Sequence, residues 1–185
     1  PVINAMTDLV HPCQILADVY TLQELGKFSE SLKLVYLGNG NNIANSWLEF
    51  AEKFPMNLTL CCPPGYEPHF QVLEQAQSAR TSRISMCDDP VKAVEHADVI
   101  YTDVWPRAQD GADESRRLRL FKPYQVNKGL LKKAGRGCLV MHRLPANRGE
   151  EITSDVLDGG QSIVLRQAEN RLHTQKGIMG HMFRS

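Results

Sequence analysis

With 185 residues, 42% of them hydrophobic and 23% charged, the chain is sized for one well-buried core and composed like an ordinary globular protein. Its 21 basic and 21 acidic residues cancel, so no net charge draws it to nucleic acid or to an anionic membrane surface, and an anionic ligand has to be held by local arginines and backbone amides. Apolar runs far short of the ~20 residues that cross a bilayer, no basic-then-apolar opening segment and five cysteines without paired C-x-x-C spacing lead to an expected cytoplasmic chain with reduced thiols, no metal and no cofactor.

Residues 1–10 read as an extended entry. From Pro12 the apolar residues Ile15, Leu16, Val19 and Leu22 recur on one helical face, so a helix is expected to run to about Gly26. His11 and Gln14 would stand one turn apart at its exposed start, where free backbone N–H groups favour an anionic or carbonyl-bearing ligand. A capping or surface role for His11 fits the same position.

Residues 33–37 form a short apolar strand, 38–42 a Gly-Asn-Gly-Asn-Asn turn and 43–51 a helical pattern, which together make a βα unit with its turn at the binding rim of a sheet. A dinucleotide fingerprint would add a third glycine and an acidic residue about 20 positions on; neither is present, which argues against a nicotinamide site. The amides of Asn41 and Asn42 can instead hold a carboxylate and an ammonium.

Strands are expected at 58–62 and 83–87 around a helix at 70–79, and Asp89-Pro90 opens a further helix. The strand at 98–103 ends in an acid at the rim. Residues 105–117 read as a polar loop with a turn at Asp110-Gly111, of a length that often marks a lid, and two short helical stretches follow at 118–134. The apolar run 138–140 then enters Met141-His142-Arg143-Leu144-Pro145-Ala146-Asn147-Arg148-Gly149-Glu150-Glu151, a strand end broken by proline, which suits either a site or a solvated loop. Ser154 is expected to cap a short helix ending at Gly159-Gly160, with 163–165 an apolar connector. A terminal helix opens over 168–176, where the density of polar residues suits a solvated surface. The alternation predicts an α/β fold, a parallel sheet of about five strands with helices on both faces, in a single domain over residues 1–185.

Five segments, HPCQILAD, LGNGNNIANSW, YTDVW, MHRLPANRGEE and AENRLHTQK, resemble in order and spacing the carboxyl-terminal, amino-acid-binding half of the ornithine and aspartate carbamoyltransferases, the ornithine branch above all. The resemblance covers essentially the whole chain. It implies a Rossmann-like half-enzyme that moves the carbamoyl group of carbamoyl phosphate to ornithine without metal or cofactor. His11 and Gln14 would hold the carbamoyl group, and Arg171 would help bind carbamoyl phosphate. Asn42 and Asp103 would grip the α-carboxylate and α-amino groups of the acceptor, and Leu144 would meet the attacking amine through its main-chain carbonyl. The phosphate-binding amino-terminal half of the family has no counterpart in the sequence, so the chain alone is expected to be inactive and monomeric or weakly associated, although the full-length family is built on trimers.

Two departures bear on the acceptor. Arg143 stands where the ornithine branch has cysteine, and Arg107-Ala108-Gln109 replaces its Ser-Met-Gly. Each places a cation near a site for a diamine, and at 4 Å and an effective dielectric of 20 two like charges repel by about 4 kcal/mol. The Arg-x-Gln spacing resembles the triplet with which the aspartate branch holds an acidic substrate. Another amine acceptor, or a non-catalytic amino-acid-binding module, is therefore an alternative to ornithine transfer.

Overall fold

The computed structural model describes residues 2–107 and 111–183, and of 111 and 112 the backbone alone. Five parallel strands, β1 (Lys33–Leu37), β2 (Asn57–Cys61), β3 (Arg83–Cys87), β4 (Val99–Thr102) and β5 (Leu139–His142), form one sheet in the order β3-β2-β1-β4-β5. Around them lie α1 (Pro12–Glu24), α2 (Asn42–Lys53), α3 (Phe70–Ala79), α4 (Pro90–Ala93), α5 (Gly111–Phe121), α6 (Lys128–Ala134), α7 (Ser154–Leu157) and α8 (Val164–Met182). The α/β class and the five-stranded parallel sheet are as the alternation predicts.

The central strands β1 and β4 are apolar almost throughout because both of their faces are covered. On one face Tyr36 and Tyr101 stack at 5.9 Å, and Trp47 of α2 meets Tyr101 edge-on at 5.8 Å. Ring pairs of this kind add about 0.5–1.5 kcal/mol each to the burial of their area. On the other face Val35, Leu37, Ile100 and Val140 lie under Val94, Leu130, Leu131 and Val156. Covering is uneven: β3 is an edge strand whose residues are largely exposed, and Thr59 and Ser85 share an exposed hydroxyl–hydroxyl contact at 3.0 Å on β2 and β3.

Strand order reverses between β1 and β4, the place where an open α/β sheet leaves a crevice. The register pairs Leu37 with Thr102 and Thr102 with His142, so the next residues, Gly38, Asp103 and Arg143, emerge side by side at the carboxyl rim. Behind Gly38 the turn is closed by the loop before α3: Gly40 donates its N–H to the Tyr66 carbonyl at 2.8 Å, and a Cβ at Gly40 would lie 2.3 Å from the Pro68 nitrogen. Only glycine lets the two backbones approach so closely.

Four local expectations are corrected. The expected loop at 105–117 is helical from Gly111 onward, where acidic residues fill the first turn of α5; Asp110 of the expected turn lies outside the described residues. Thr153, not Ser154, is the N-cap of α7, and it makes no side-chain cap bond. The expected connector at 163–165 enters α8 at Val164, after the Ile163 N–H has bonded the Val140 carbonyl at the edge of β5. Finally, α8 is not solvated all round: Gln167 and Asn170 are buried against α1, where Asn170 Nδ2 donates to Thr21 Oγ1 at 3.0 Å. Polar side chains there serve a buried polar seam, which a count of hydrophobic residues cannot reveal.

Candidate active site

Asp103 leaves β4 with its side chain fully covered, and both carboxylate oxygens accept from Arg143 Nε at 2.8 Å. Oδ2 accepts in addition from Asn41 Nδ2 at 2.7 Å. Asn41 is held in turn, since its Oδ1 caps α2 by accepting from the Ile43 N–H at 2.9 Å and also takes the Tyr36 hydroxyl at 3.0 Å. The sequence pointed to Asn42 as the partner of Asp103 in gripping a ligand. Here the Asn42 amide donates to the Thr7 carbonyl at 2.8 Å and it is Asn41 that touches Asp103.

The segment before α1 is strapped across the first turns of α2. Asn45 Nδ2 donates to the Leu9 carbonyl at 2.9 Å, and the His11 N–H donates to Ser46 Oγ at 2.6 Å. This strap buries His11 and Gln14, correcting the exposed helix start expected from the sequence. Burial pushes the His11 imidazole below its ordinary range, and Arg171 and Arg143 push it further against the opposing Ala5 backbone and Asp103. His11 therefore shares an electrostatic neighbourhood with Arg171, Arg143 and Asp103, residues from α8, the β5 loop and the β4 rim. Among the described residues, His11 Nδ1, Gln14 Oε1 and Arg171 Nε are buried polar atoms without a hydrogen-bonding partner. Unpaired groups of this kind are expensive in a packed protein and are commonly completed by a ligand or water.

Behind these residues a buried polar network joins α1, α8 and the strand ends, and nothing in the residue order marks it. Asp18 Oδ1 accepts from Gln14 Nε2 at 2.8 Å and from Gln167 Nε2 at 2.7 Å, and Oδ2 accepts from the Tyr101 hydroxyl at 2.8 Å. The amide oxygen of Gln167 accepts from the His142 N–H at 3.0 Å. Asp18 thereby takes up the Gln14 NH2, while Gln14 Oε1 is left unpaired. Complete burial lifts the Asp18 carboxyl to about 7, although its three hydrogen bonds and the charge of Arg171 oppose the rise.

The β5 loop has its own brace. His142 and Glu151 are both fully buried, with His142 Nε2 and Glu151 Oε1 3.1 Å apart. His142 Nδ1 accepts the Leu144 N–H at 2.9 Å, which makes Nε2 the protonated nitrogen of a neutral ring, and Glu151 Oε1 also accepts the Asn147 N–H at 2.6 Å. Leu144 is held at φ 58°, a left-handed conformation that side chains with a Cβ seldom adopt, and is followed by a cis peptide to Pro145. The stretch after β5 is thus braced from below by His142 and Glu151, while Pro145, Arg148 and Gly149 are exposed.

Arg107 is exposed and lines a cleft of about 440 Å³ with Pro64, Tyr66, Asp113, Arg116 and Arg117. The contacts of the described residues do not join it to Asp103 or Arg143. Ala108 and Gln109 lie outside the described residues. Trp105 is buried against Phe121 at 5.4 Å, and Arg117 ties α5 to the β5 loop through Glu150 at 3.1 Å. No group of three His, Cys, Asp or Glu side chains among the described residues is placed to hold a metal ion.

The family model described as aspartate/ornithine carbamoyltransferase, Asp/Orn binding domain, matches residues 30–182. A protein named ornithine carbamoyltransferase from Syntrophus aciditrophicus is 51% identical over 179 residues, which are 97% of this chain and 59% of the relative. One of the same name from Methanocaldococcus jannaschii is 47% identical over 188 residues, 99% of this chain and 61% of the relative. The solved structure of ornithine carbamoyltransferase from Pyrococcus furiosus superposes with a TM-score of 0.88 at 44% identity, covering 95% of this chain and 57% of that one. The chain spans about six tenths of the length of the curated relatives it matches.

Proposed function

Since the chain belongs to the aspartate/ornithine carbamoyltransferase family, we propose that it forms the acceptor-binding side of an ornithine carbamoyltransferase, which transfers the carbamoyl group of carbamoyl phosphate to ornithine to give citrulline and phosphate. The observation that carries this reading is that three of the unpaired buried atoms, His11 Nδ1, Gln14 Oε1 and Arg171 Nε, belong to residues of α1 and α8 and the segment before α1, with His11 in the electrostatic neighbourhood of Arg171, Arg143 and Asp103. A carbamoyl phosphate brings one carbonyl oxygen, one NH2 and a phosphate; Gln14 Oε1 can accept from the NH2, and Arg171 Nε can donate to an anionic oxygen.

Chemically, a neutral amine attacks the carbamoyl carbon while negative charge grows on the carbonyl oxygen and on the departing phosphate. Little covalent work falls to the protein, so rate enhancement rests on positioning and on fixed positive charge. Arg171 supplies the charge near the leaving group, and His11 with Gln14 orients the carbamoyl plane. Asp103 receives the α-ammonium of the acceptor, Asn42 assists at its α-carboxylate, and the Leu144 carbonyl accepts from the attacking amine. Free thiols at all five cysteines agree with a reducing, cytosolic setting. The phosphate-binding half and the homotrimer are partners that the activity requires.

The test is a citrulline assay. The purified 185-residue chain should form none with carbamoyl phosphate and ornithine, and joining it to the phosphate-binding half of a close relative should produce it. Citrulline from the chain alone would remove the requirement for a partner half. No citrulline from a folded, trimeric chimera would refute the activity.

A further inference from the structure

An ion pair occupies the acceptor's seat. The Asp103 side chain is 0% exposed, whereas that of Arg143, lying over it, is 24% exposed. An acceptor's ammonium reaches Asp103 only by displacing this guanidinium. Arg143 spends only Nε on Asp103, and its Nη1 and Nη2 make no hydrogen bond among the described residues. Arg171 acts on the same His11 as Arg143 does, so a displaced guanidinium without a new anion would stand in the field of a second cation. Leaving a partly buried charge uncompensated is strongly unfavourable.

A plain amine creates that situation, because it replaces Arg143 at Asp103 and offers nothing in return. An α-amino acid does not, since it brings a carboxylate on the same carbon as its ammonium. The planar guanidinium edge matches a carboxylate with two parallel N–H bonds. Asn42, a neutral donor with one amide hydrogen already given to Thr7, is a weaker claimant for that carboxylate.

We infer that Arg143 makes the site selective for α-amino acids over plain amines by exchange of ion pairs: the acceptor's ammonium takes Asp103, and the released guanidinium takes the acceptor's carboxylate. The inference rests on the reading of this rim as the acceptor site. It gives the arginine that departs from the ornithine branch a binding role, one that keeps the count of paired charges constant as the ligand enters.

The test is calorimetric titration with two matched pairs, norvaline against 1-aminobutane and ornithine against 1,4-diaminobutane, each with and without carbamoyl phosphate. Wild-type protein should bind norvaline at least about tenfold more tightly than 1-aminobutane, as a charge-assisted pair provides. Arg143→Gln should bring that ratio to within about threefold, while Arg143→Lys, which keeps the charge and loses the fork, should fall between. A general loss of structure would weaken both members of a pair alike, and thermal unfolding of each variant checks for it. An unchanged ratio in Arg143→Gln, tighter norvaline binding in that variant, or no binding by any protein would overturn the inference. Norvaline selectivity that depends on Arg143 with ornithine excluded would sink the ornithine reading and leave the exchange intact. Ornithine binding indifferent to Arg143→Gln would do the reverse.

Discussion

His142 and Arg143 are consecutive, and each meets a carboxylate, yet the two pairs are built for different purposes. A strand end sends successive side chains to opposite sides, so His142 turns into the core and Arg143 toward the rim. Glu151 meets His142 at 0% exposure for both side chains, with the Leu144 N–H on His142 Nδ1 and the Asn147 N–H on Glu151 Oε1, while Glu151 Oε2 is buried without a hydrogen-bonding partner among the described residues. Asp103 meets a guanidinium that is partly exposed and has donors to spare. A pair closed on every side can only hold shape; a pair with an open edge can trade partners. The difference lies in what surrounds each pair, not in its residue types.

The closed pair gives the largest expected effect. Glu151→Ala leaves the His142 Nε2 and the Asn147 N–H buried and unpaired, and should cost about 5 kcal/mol in urea unfolding. A cost no greater than that of Arg143→Gln would break the distinction between the pairs. Next comes Asp18, which joins the two sides of the site. Its carboxyl ionises near 3.8 when unfolded and at about 7 when folded, so over that interval the folded state holds a proton that the unfolded state has lost. Stability should therefore fall as pH rises from about 4 to about 7, by as much as about 4 kcal/mol from this residue. Asp18→Asn should flatten that slope in unfolding curves taken across the interval, and an unaltered slope would assign the pH dependence elsewhere.

Smaller still is the open pair. Arg143→Gln should lower stability by about 2 kcal/mol, since Asp103 keeps its bond from Asn41. The least effect is expected from Arg148→Ala, whose partner Asp158 lies exposed at the end of α7; the urea midpoint should stay where it is. A loss there comparable to that of Arg143→Gln would show that salt-bridge geometry in this pair matters more than its burial.

Much of the site was legible in residue order alone. Asp103, Arg143 and Leu144 follow β4 and β5 at the carboxyl rim, because strand ends carry their neighbouring residues to the same edge of a parallel sheet, and His11 shares its electrostatic neighbourhood with Arg171, Arg143 and Asp103. Legibility failed where a residue's role depends on contacts distant in sequence. Asn41 and Asn42 are indistinguishable by type, and the N-cap geometry of α2 together with the strap from Thr7 decides which of them faces Asp103. Asp18, Gln167 and Glu151 looked like ordinary polar residues on helices and loops, and burial makes them the frame of the site.

By itself the sequence determined the periodic features: the alternation of strands with helices, the all-apolar runs of β1 and β4, and the turn residues that stop each strand. These follow from local hydrophobic spacing and backbone preference, which act over a few residues. Tertiary structure alone decided that the polar stripe of α8 is buried against α1, that Arg143 lies over Asp103, and that His11 is covered. Such pairings join positions 35 to 149 residues apart, and the free energy of a polar or charged group there is set by whichever partners the fold supplies.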